Sequence, residues 1–570
     1  MPKPVSQEFL DNLGRTLEQG VAAHRAGRLD EAEKIYARIL KSLPDQFDAL
    51  LLMAQLKMAR GKAAEAYRLA SAATAARPDS ADARVALGHI LRALKRDDEA
   101  LAAFEKALAI VPGHIDALGS RGDALLARGR AEEGLQCFDK ILTLAPGHRE
   151  ARANRGAALA KLERYEEALA EFDAVLAQAP QHPSPHYSIA LYNRANALTS
   201  VGRYAESLAA YDRVLAAVPQ HAPAWNNRGN ALMALKRHAD AVESFSKAVA
   251  HKPDYADAYF NRSLALLAVG DYARGFTDYE WRWKRSGMPA VRRNFGRPLW
   301  LGEFPLARKT ILVHSEQGLG DCIQFARYIP LLAREGASVV LEVQAELKSL
   351  LSRLVGVSQI FARGEALPGF DVQCPVGSLP LAHKTVAASV PAEIPYLATD
   401  EKRLAKWRSR LEALKTPRVA FVWAGNVSHA NDRNRSITFA QLKPLWENGA
   451  ASFVSLQREL RRSDAEELKK APDVLHLGDE FSDLDDTAAV IALCELVVSV
   501  DTSVAHLAAA MGRPTWVLLP FSPDWRWTLE AERSPWYPAA RLFRQPQLGD
   551  WASVIERVRM ELAKLGGAPA

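Results

Sequence analysis

The stretch that decides the fold of the C-terminal half is Val497-Val498-Ser499-Val500-Asp501-Thr502-Ser503-Val504-Ala505-His506. Its first four residues are typical of a buried strand, and the Ala-rich continuation Val504–Met511 predicts a helix. A strand that leads at once into a helix is typical of a parallel α/β sheet. This short stretch therefore predicts a turn at the carboxyl edge of such a sheet, where ligands commonly bind.

The polar residues of this turn predict an anion site. Asp501 is expected to cap the helix, and Thr502 and Ser503 place backbone N–H groups and hydroxyls at the positive helix end. Such an end attracts phosphate. His506 lies four residues after Thr502, on the same helix face, where it could donate a proton to a phosphate. A capped helix with one polar histidine is the simpler alternative.

Composition limits the class of protein. The chain has 570 residues, so two to four domains are expected. Its four cysteines stand far apart, which fits a reducing compartment. The first twenty residues lack the apolar core of a signal peptide, and no stretch has the ~18 uncharged apolar residues of a membrane span. We therefore expect a cytoplasmic protein without a membrane span.

Charge is concentrated in one segment. The net charge is +6, and residues 281–309 hold eight basic residues against the single acid Glu303. The rest of the chain is close to neutral, which argues against a nucleic-acid binder. The basic segment is either a solvated linker or a contact for an acidic partner. Anionic lipid is one such partner for Arg292, Arg293 and Arg297.

The first half of the chain is a repeat array. Prolines recur 34 residues apart, with one step of 39 that coincides with the insert 181–185. Small residues recur in the same phase, and a larger residue, mostly aromatic, follows four positions after most of them. Small residues at a helix crossing, an aromatic that fills the gap and a proline that ends the second helix define a helix–turn–helix unit. The pattern resembles the tetratricopeptide repeat, in about eight copies.

One face of the array carries a series of asparagines. Such arrays coil into solenoids whose concave face binds extended partners. The asparagines lie at the same repeat position, where each amide could pair with a peptide backbone: Asn154, Asn193, Asn227 and Asn261. The series resembles the asparagine ladder of eukaryotic protein O-GlcNAc transferases. Bonding between neighbouring helices is the alternative explanation.

Two parallel α/β units are predicted after the repeats. In the first, strand 310–314 is followed by a glycine turn, a helix over Cys322–Leu332 and strand 338–343. The turn has Gly318 and Gly320 but Ile323 in place of a third glycine, so a nicotinamide dinucleotide site is disfavoured. In the second unit, strands are predicted at 418–423, 452–456, 474–477, 496–500 and 515–519. A final amphipathic helix is predicted at 551–565.

The predicted fold class is therefore α plus α/β. A repeat solenoid occupies residues 1–283 and a basic linker 284–309. An N-terminal Rossmann-like half occupies 310–400 on the acceptor side, and a C-terminal half occupies 401–545 on the nucleotide-sugar side. The last segment, 546–570, holds the final helix. Two open sheets that face one cleft form the GT-B architecture of many glycosyltransferases.

The motifs Gln317-Gly318-Leu319-Gly320-Asp321, Asp501-Thr502-Ser503-x-x-His506 and Gly512-Arg513-Pro514 together resemble the bacterial heptosyltransferase family, glycosyltransferase family 9. The resemblance covers roughly residues 309–565. It implies that Asp321 is the catalytic base and that Arg435 binds the donor phosphates together with Asp501, Thr502 and His506. Because of the repeats, the closer similarity is to bacterial repeat-plus-transferase proteins, some of which glycosylate flagellin.

These features predict an inverting glycosyltransferase that uses a nucleotide sugar and acts on a protein acceptor held by the repeats. Asp321 is expected to accept the proton of the acceptor hydroxyl, with Glu316 and His314 in reserve. Gly318, Gly320, Arg435 and the start of the second-half helix are expected to hold the donor. Two alternatives stay open: a non-catalytic scaffold with a decayed transferase fold, and a lipopolysaccharide heptosyltransferase-like enzyme. For Asp321 itself, the alternative to catalysis is a structural role as the cap of its helix.

No metal or cofactor is required by this scheme. Asp483-Leu484-Asp485-Asp486 matches the Asp-x-Asp metal motif of other transferases. It lies where a helix over Thr487–Cys494 begins, so capping explains it better. The tryptophans Trp281 and Trp283, which follow the last repeat, are expected to pack the repeats onto the transferase.

Overall fold

The structure is a computed structural model that describes residues 7–177, 185–285, 293–429, 431–447 and 449–566. The chain forms two compact units, Met1–Pro219 and Gln220–Ala570. Most of the predicted insert, residues 181–184, and Arg292 of the basic segment lie outside the described residues.

The first part of the chain is helical. Up to residue 279, the described residues form sixteen helices that pair consecutively, α1 with α2 and so on to α15 with α16. Their bounds are α1 Gln7–Arg25, α2 Leu29–Ser42, α3 Phe47–Ala59, α4 Ala63–Ala76, α5 Ala81–Ala93, α6 Asp97–Ile110, α7 Ile115–Ala127, α8 Ala131–Leu144, α9 Arg149–Lys161, α10 Tyr165–Ala177, α11 Pro185–Ser200, α12 Tyr204–Ala217, α13 Ala222–Ala234, α14 His238–His251, α15 Ala256–Ala268 and α16 Tyr272–Tyr279. The eight predicted repeats are confirmed.

The small–aromatic pairs explain why these helices pack closely. A Cβ added to Gly88 would lie 2.4 Å from Phe104 Cε1, and one added to Gly122 would lie 2.6 Å from Phe138 Cζ. Both rings are fully buried. The glycine lets each ring rest against the neighbouring helix backbone, which is the contact that the repeat pattern predicted.

We expect Gly88→Ala to destabilise the first unit by about 1–3 kcal/mol, because the new methyl group overpacks Phe104. The gain in helix propensity, up to about 1 kcal/mol, does not offset this cost. Gly14→Ala in α1 is the matched control, since a Cβ there meets nothing within 4 Å.

Urea unfolding followed by circular dichroism measures this effect. All twelve tryptophans lie after residue 220, so fluorescence reports on the second unit alone. The dichroism midpoint of Gly88→Ala should fall while the fluorescence transition stays in place. A Gly88→Ala protein as stable as Gly14→Ala would contradict the packing argument.

The first α/β half is a four-stranded parallel sheet with the order β3-β2-β1-β4. Its strands are β1 Thr310–His314, β2 Ser338–Val343, β3 Val357–Ala362 and β4 Val372–Pro375. The helices are α17 Leu319–Phe325, α18 Ile329–Arg334, α19 Ala345–Leu351 and α20 Leu379–Ala382. The helix expected over Cys322–Leu332 is therefore wrong in its bounds, because a 3₁₀ turn divides it just before Pro330.

The second half is a six-stranded parallel sheet with the order β10-β9-β8-β5-β6-β7. Its strands are β5 Arg418–Val422, β6 Ser452–Ser455, β7 Val474–His476, β8 Leu496–Val500, β9 Thr515–Leu519 and β10 Ala540–Arg544. The helices are α21 Glu401–Leu411, α22 Asp432–Arg435, α23 Arg462–Leu468, α24 Leu484–Ala492, α25 Ser503–Ala510 and α26 Trp551–Gly566. This strand order is that of a doubly wound Rossmann sheet, with its switch point between β5 and β8. The predicted α plus α/β class is confirmed.

The described part of the basic segment packs against the first sheet. Leu299 forms a parallel bridge with Gln373 of β4, and the side chains of Trp300 and Leu306 are buried. Arg293 forms an ion pair with the buried carboxylate of Glu342 in β2. The expectation of a solvated linker is thus wrong for residues 293–309, because apolar side chains anchor this segment.

The last repeat is joined to the second α/β half by an aromatic residue other than those expected. Trp281 stacks on Tyr259 of α15, with ring centroids 3.9 Å apart. Trp536, from the loop before β10, donates its indole N–H to the Tyr272 hydroxyl of α16 at 3.1 Å. The tryptophan that bonds the last repeat to the second half is therefore Trp536, and Trp281 stacks within the repeats.

Among the residues that the structure describes, none of the helices combines the length and the apolar character that a membrane crossing requires.

Candidate functional site

The candidate site lies at the switch point of the second sheet. The turn after β5 holds Gly425, and the turn after β8 holds Asp501 and Thr502. Because the switch point opens a crevice at the carboxyl ends of the strands, these two turns form the place where a ligand fits best. The turn after β1 of the first sheet leads into α17, which carries Asp321. Helix α17 contacts α25 of the second half.

Arg435 reaches this crevice from α22. Its Nη1 donates to the backbone carbonyl of Asp501 at 3.0 Å, and a Cβ on Gly425 would lie 2.6 Å from its Nη2. The glycine is therefore required for the guanidinium to lie here. Nε of Arg435 is buried, lies 4.0 Å from Asp432 and donates no hydrogen bond to any residue that the structure describes. A cation with unused donors suits an anionic ligand.

The start of α25 differs by one residue from the expectation. The helix begins at Ser503, and its N-cap is Thr502, whose side chain makes no capping hydrogen bond. The expected Asp501 cap is therefore wrong. The Thr502 hydroxyl lies 3.0 Å from Ser499 Oγ, which leaves the first backbone N–H groups of the helix without a side-chain cap.

Asp501 is a buried carboxyl in the middle of the site. Burial and the neighbouring Asp524 carboxylate raise the pKa of Asp501 to about 6, against the opposing effect of Arg435. Its Oδ1 lies 3.9 Å from His506 Nε2. A carboxylate repels phosphate, so the contribution of Asp501 to an anion site is its backbone carbonyl, which accepts from Arg435.

His506 is enclosed by aromatic side chains. Its Nδ1 lies 3.0 Å from the Tyr537 hydroxyl, and its ring contacts those of Trp527 and Tyr537, with ring centroids 5.0 and 5.5 Å apart. Burial, together with the charges of Arg526 and two other arginines, holds the pKa of His506 well below its usual range. The ring is therefore neutral at pH 7. It can donate or accept a hydrogen bond, but it does not supply the positive charge that a protonated histidine would.

Gly318 and Gly320 shape the turn before α17. A Cβ on Gly320 would lie 2.9 Å from His506 Cδ2 and 3.5 Å from Ser503 Cα. Gly320 therefore lets the first half approach the start of α25. Gly318 is the N-cap of α17 and is exposed.

Asp321 is at the third position of α17, and both of its oxygens are engaged. Oδ2 accepts the Gly318 N–H at 3.1 Å, and Oδ1 accepts from Nη2 of Arg526 at 2.5 Å. The second contact joins the two halves across the site. The sequence motifs did not identify Arg526 as a site residue. The signal that could have found it is a basic residue within the dense aromatics after β9, at the carboxyl edge of the sheet.

The reserve bases are engaged by neighbouring side chains. His314 is buried, its Nε2 lies 2.9 Å from Gln373 Oε1, and burial lowers its pKa to about 4. Burial raises the pKa of Glu316 to about 7 against the opposing charge of Arg282, which lies 3.1 Å away. Of the three candidates, Asp321 is the one that contacts a residue of the second half through its side chain.

The last repeat also contributes to this turn. The Tyr279 hydroxyl, at the end of α16, donates to Gln317 Oε1 at 2.8 Å. Burial and the nearby Asp321 charge raise the pKa of Tyr279 to about 12, so it stays protonated. Arg282, just after α16, is buried and also donates to Ser378 at 2.7 Å. The end of the repeat array thus supports the loop that leads to Asp321.

The asparagine series is half-buried, and at least three of its amides already have partners. Asn227 accepts from Asn226 of the same helix at 3.0 Å. Asn154 donates to Asp123 of α7 at 2.9 Å, and Asn261 donates to Asn226 of α13 at 3.0 Å. Asn154 and Asn261 therefore bond neighbouring helices, which is the alternative explanation of the asparagine series. These two bonds leave the oxygen atoms of both amides available for other partners, so the acceptor role stays a prediction.

The Asp-x-Asp segment is occupied by protein contacts. Asp483 accepts from the N–H groups of Asp485 and Asp486, which makes it the N-cap of α24. Asp485 accepts from Ser349 and Arg353 of the first half at 2.8 and 2.6 Å. Hydrogen bonds from Ser482, Arg403 and Trp407 hold the pKa of Asp486 below its usual range, although burial opposes them. In the described residues, we find no cluster of three or more metal-ligating side chains.

Comparison with known proteins defines the class of each part. The family described as Tetratricopeptide repeat matches residues 51–115, 120–183, 192–256 and 239–288. The family described as Glycosyltransferase family 9 (heptosyltransferase) matches residues 462–544, which include Asp501, His506 and Arg526. The protein therefore joins a repeat array to a transferase domain. It carries tetratricopeptide repeats and a C-terminal glycosyltransferase family 9 domain.

Individual relatives match parts of the chain. Protein FlbA of Caulobacter vibrioides is 28% identical over 322 residues, or 52% of this chain and 53% of that protein, so the match spans about half of the relative's length. Among solved structures, MamA is 23% identical and covers 28% of this chain and 92% of its own, with a TM-score of 0.27. A tetratricopeptide repeat protein from Parabacteroides merdae is 19% identical and covers 45% and 99%, with a TM-score of 0.38.

Proposed function

We propose that the protein is an inverting, metal-independent glycosyltransferase of the GT-B type. It moves a sugar from a nucleotide-sugar donor to a protein acceptor that the repeat array captures. We propose the cytoplasm as its location, because the four cysteines are free and buried, as is common in reducing compartments.

This proposal rests on one observation: a carboxylate from the first half and an anion site in the second half lie on opposite sides of the candidate site. Asp321 of the first half faces the start of α25, where Arg435 adds a guanidinium with unused donors. Glycosyl transfer needs a base for the acceptor hydroxyl and stabilisation of the departing diphosphate. These two requirements correspond to the two sides of this site.

In this scheme the acceptor hydroxyl attacks the anomeric carbon and gives its proton to Asp321. The bond to the donor phosphate breaks in the same displacement, so the anomeric configuration inverts. Arg435 and the backbone N–H groups at the start of α25 stabilise the negative charge that develops on the diphosphate. His506 stays neutral and holds the aromatic wall of the site.

Intact-mass analysis of candidate acceptor proteins tests the proposal. Flagellin is the first candidate, and the proteins are compared from cells with and without this chain. A sugar mass that disappears with the chain, and returns with the wild-type chain but not with an Asp321→Asn chain, is the expected result. Loss of a lipid-linked product with unchanged protein masses would assign the protein to the lipopolysaccharide class instead.

The asparagine series yields a prediction about acceptor capture. Changing Asn154, Asn193, Asn227 and Asn261 together to Ala should weaken acceptor binding by a few kcal/mol, at about 0.5–1.5 kcal/mol for each lost amide–backbone bond. Hydrolysis of the donor should be unchanged, because the donor residues belong to the transferase. Acceptor pull-down and donor hydrolysis are measured side by side.

Asn12→Ala, at an exposed position of α1 outside the series, is the control for this experiment. Circular dichroism confirms that the fourfold variant folds, since two of its amides bond neighbouring helices. A folded fourfold variant that captures and modifies the acceptor at the normal rate would remove the asparagines from the acceptor site.

A further inference from the structure

Arg526 connects the proposed base to the donor side. It is nearly buried, with 10% of its side chain exposed. Nε donates to Gln324 Oε1 at 2.5 Å, Nη1 to Asp524 Oδ1 at 2.9 Å and Nη2 to Asp321 Oδ1 at 2.5 Å. One guanidinium therefore serves two carboxylates, one from each half of the transferase.

This arrangement masks the proposed base. A guanidinium that contacts a carboxylate oxygen occupies one of its lone pairs and competes with a hydroxyl for that oxygen. Oδ1 of Asp321 is held by Arg526 and Oδ2 by the Gly318 N–H. In the described arrangement, Arg526 therefore competes with the acceptor hydroxyl for Oδ1, and drawing Arg526 away would free that oxygen.

The donor site lies close enough to do this. Arg526 directly precedes Trp527, whose ring lies 5.0 Å from that of His506 in the first turn of α25. Asp321, which Arg526 contacts, directly follows Gly320, where an added Cβ would lie 3.5 Å from Ser503 Cα at the start of α25. Asp524, which Arg526 also contacts, is a charge that raises the pKa of Asp501. Arg526 therefore belongs electrostatically to the same site as the start of α25. A diphosphate that enters there carries more negative charge than a single carboxylate and competes for the guanidinium.

We propose that Arg526 is a donor-phosphate residue that masks Asp321 in the empty site and passes to the diphosphate when the donor binds. The exchange frees Oδ1 of Asp321 to accept the proton of the acceptor hydroxyl. No covalent bond changes in this step; one ion pair replaces another. The donor must then bind before the acceptor can react. This inference rests on the proposed function and adds to it an order of events.

Calorimetry with inorganic pyrophosphate tests the exchange without any sugar chemistry. Asp321→Asn removes the competing carboxylate, so pyrophosphate affinity should rise about tenfold. Asp524→Asn should raise it similarly, because Arg526 loses its other anionic partner. Arg526→Lys should lower the affinity about tenfold. In the Asp321→Asn, Arg526→Lys double variant, the gain from Asp321→Asn should vanish.

Glu342→Gln is the matched control, because it neutralises a carboxylate at the same edge of the first sheet that pairs with Arg293 and not with Arg526. Its affinity should stay within about twofold of wild type. If the pyrophosphate affinity of the control rose as much as that of Asp321→Asn, the loss of any nearby negative charge would explain the effect, and the exchange would be overturned. Since Asp524→Asn keeps Arg526 itself, the proposal stays testable even if Arg526→Lys fails to fold.

The outcomes separate this inference from the proposed function. Wild-type protein that binds no pyrophosphate would overturn the donor site and the exchange together. Pyrophosphate binding that Arg435→Met weakens but that Asp321→Asn and Asp524→Asn leave unchanged would overturn the exchange alone. In that case the donor site at α25 would stand.

Discussion

Asp321→Asn is expected to lower the rate of glycosyl transfer by ~10²–10⁴-fold, while affinity for the nucleotide does not fall. The amide cannot accept the proton of the acceptor hydroxyl, but its oxygen can still accept the Gly318 N–H that the carboxylate now binds. The fold should therefore survive. Turnover is measured with saturating donor, and nucleotide affinity is measured separately by calorimetry.

Asp371→Asn is the matched control for this experiment. Its carboxylate also accepts a backbone N–H, that of Thr310 at 2.7 Å, but at the amino edge of the same sheet, away from the site. The control should turn over at the wild-type rate. Full activity in Asp321→Asn would return Asp321 to the role of a helix-capping residue.

Arg435→Met is expected to weaken the binding of a nucleoside diphosphate by about 1.5–3 kcal/mol, or roughly 10- to 150-fold, because it removes a charge-assisted hydrogen bond to phosphate. The measurement is calorimetry in EDTA, since the proposed site uses no metal ion. Gly425→Ala should also weaken binding, because its Cβ would lie 2.6 Å from Arg435 Nη2 and displace the guanidinium.

Arg433→Met provides the control, since Arg433 is an exposed arginine on the same short helix. It should bind the nucleotide as wild type does. Equal affinities in Arg435→Met and Arg433→Met would exclude Arg435 from the donor site. Strict dependence of wild-type binding on a divalent ion would contradict the metal-independent scheme.

The structure changes what is expected of His506. The sequence placed a proton donor at the start of the second-half helix, and the side chain does lie in the first turn of α25. Burial keeps it neutral, however, and Tyr537 occupies its Nδ1. The positive charge of the site comes instead from Arg435 and Arg526. Neither burial nor these neighbours can be read from the spacing between Thr502 and His506.

The dense aromatic residues after β9 have a structural explanation. Trp525 and Trp536 contact Tyr272 and Phe276 of the last repeat, with ring centroids 5.8–6.4 Å apart. A transferase without repeats has no such helix to receive them. The same segment carries Arg526 into the site, so attachment of the repeats and placement of this arginine depend on one loop.

Local periodicity was enough to determine the repeats and most strands. The 34-residue period fixed the helix pairs, because each glycine and the aromatic residue sixteen positions later must meet at a helix crossing. Apolar runs gave β1, β2, β5, β8 and β9 close to their observed bounds. Strands β3, β4 and β10 were missed, because their apolar runs are short or interrupted by polar residues.

The sequence by itself also predicted which residues would carry the chemistry on each side of the candidate site, since glycine turns, Asp321, Arg435 and the Asp501–His506 segment are local patterns. Only the tertiary structure decided which of these side chains form ion pairs and which protonation state burial favours. The contact between Asp321 and Arg526 joins positions 205 residues apart in the chain. The neutral state of His506 and the raised pKa of Asp501 result from burial among groups brought together by two separate sheets. Desolvation and Coulomb interactions depend on distance in space, and the spacing of a motif does not contain that distance.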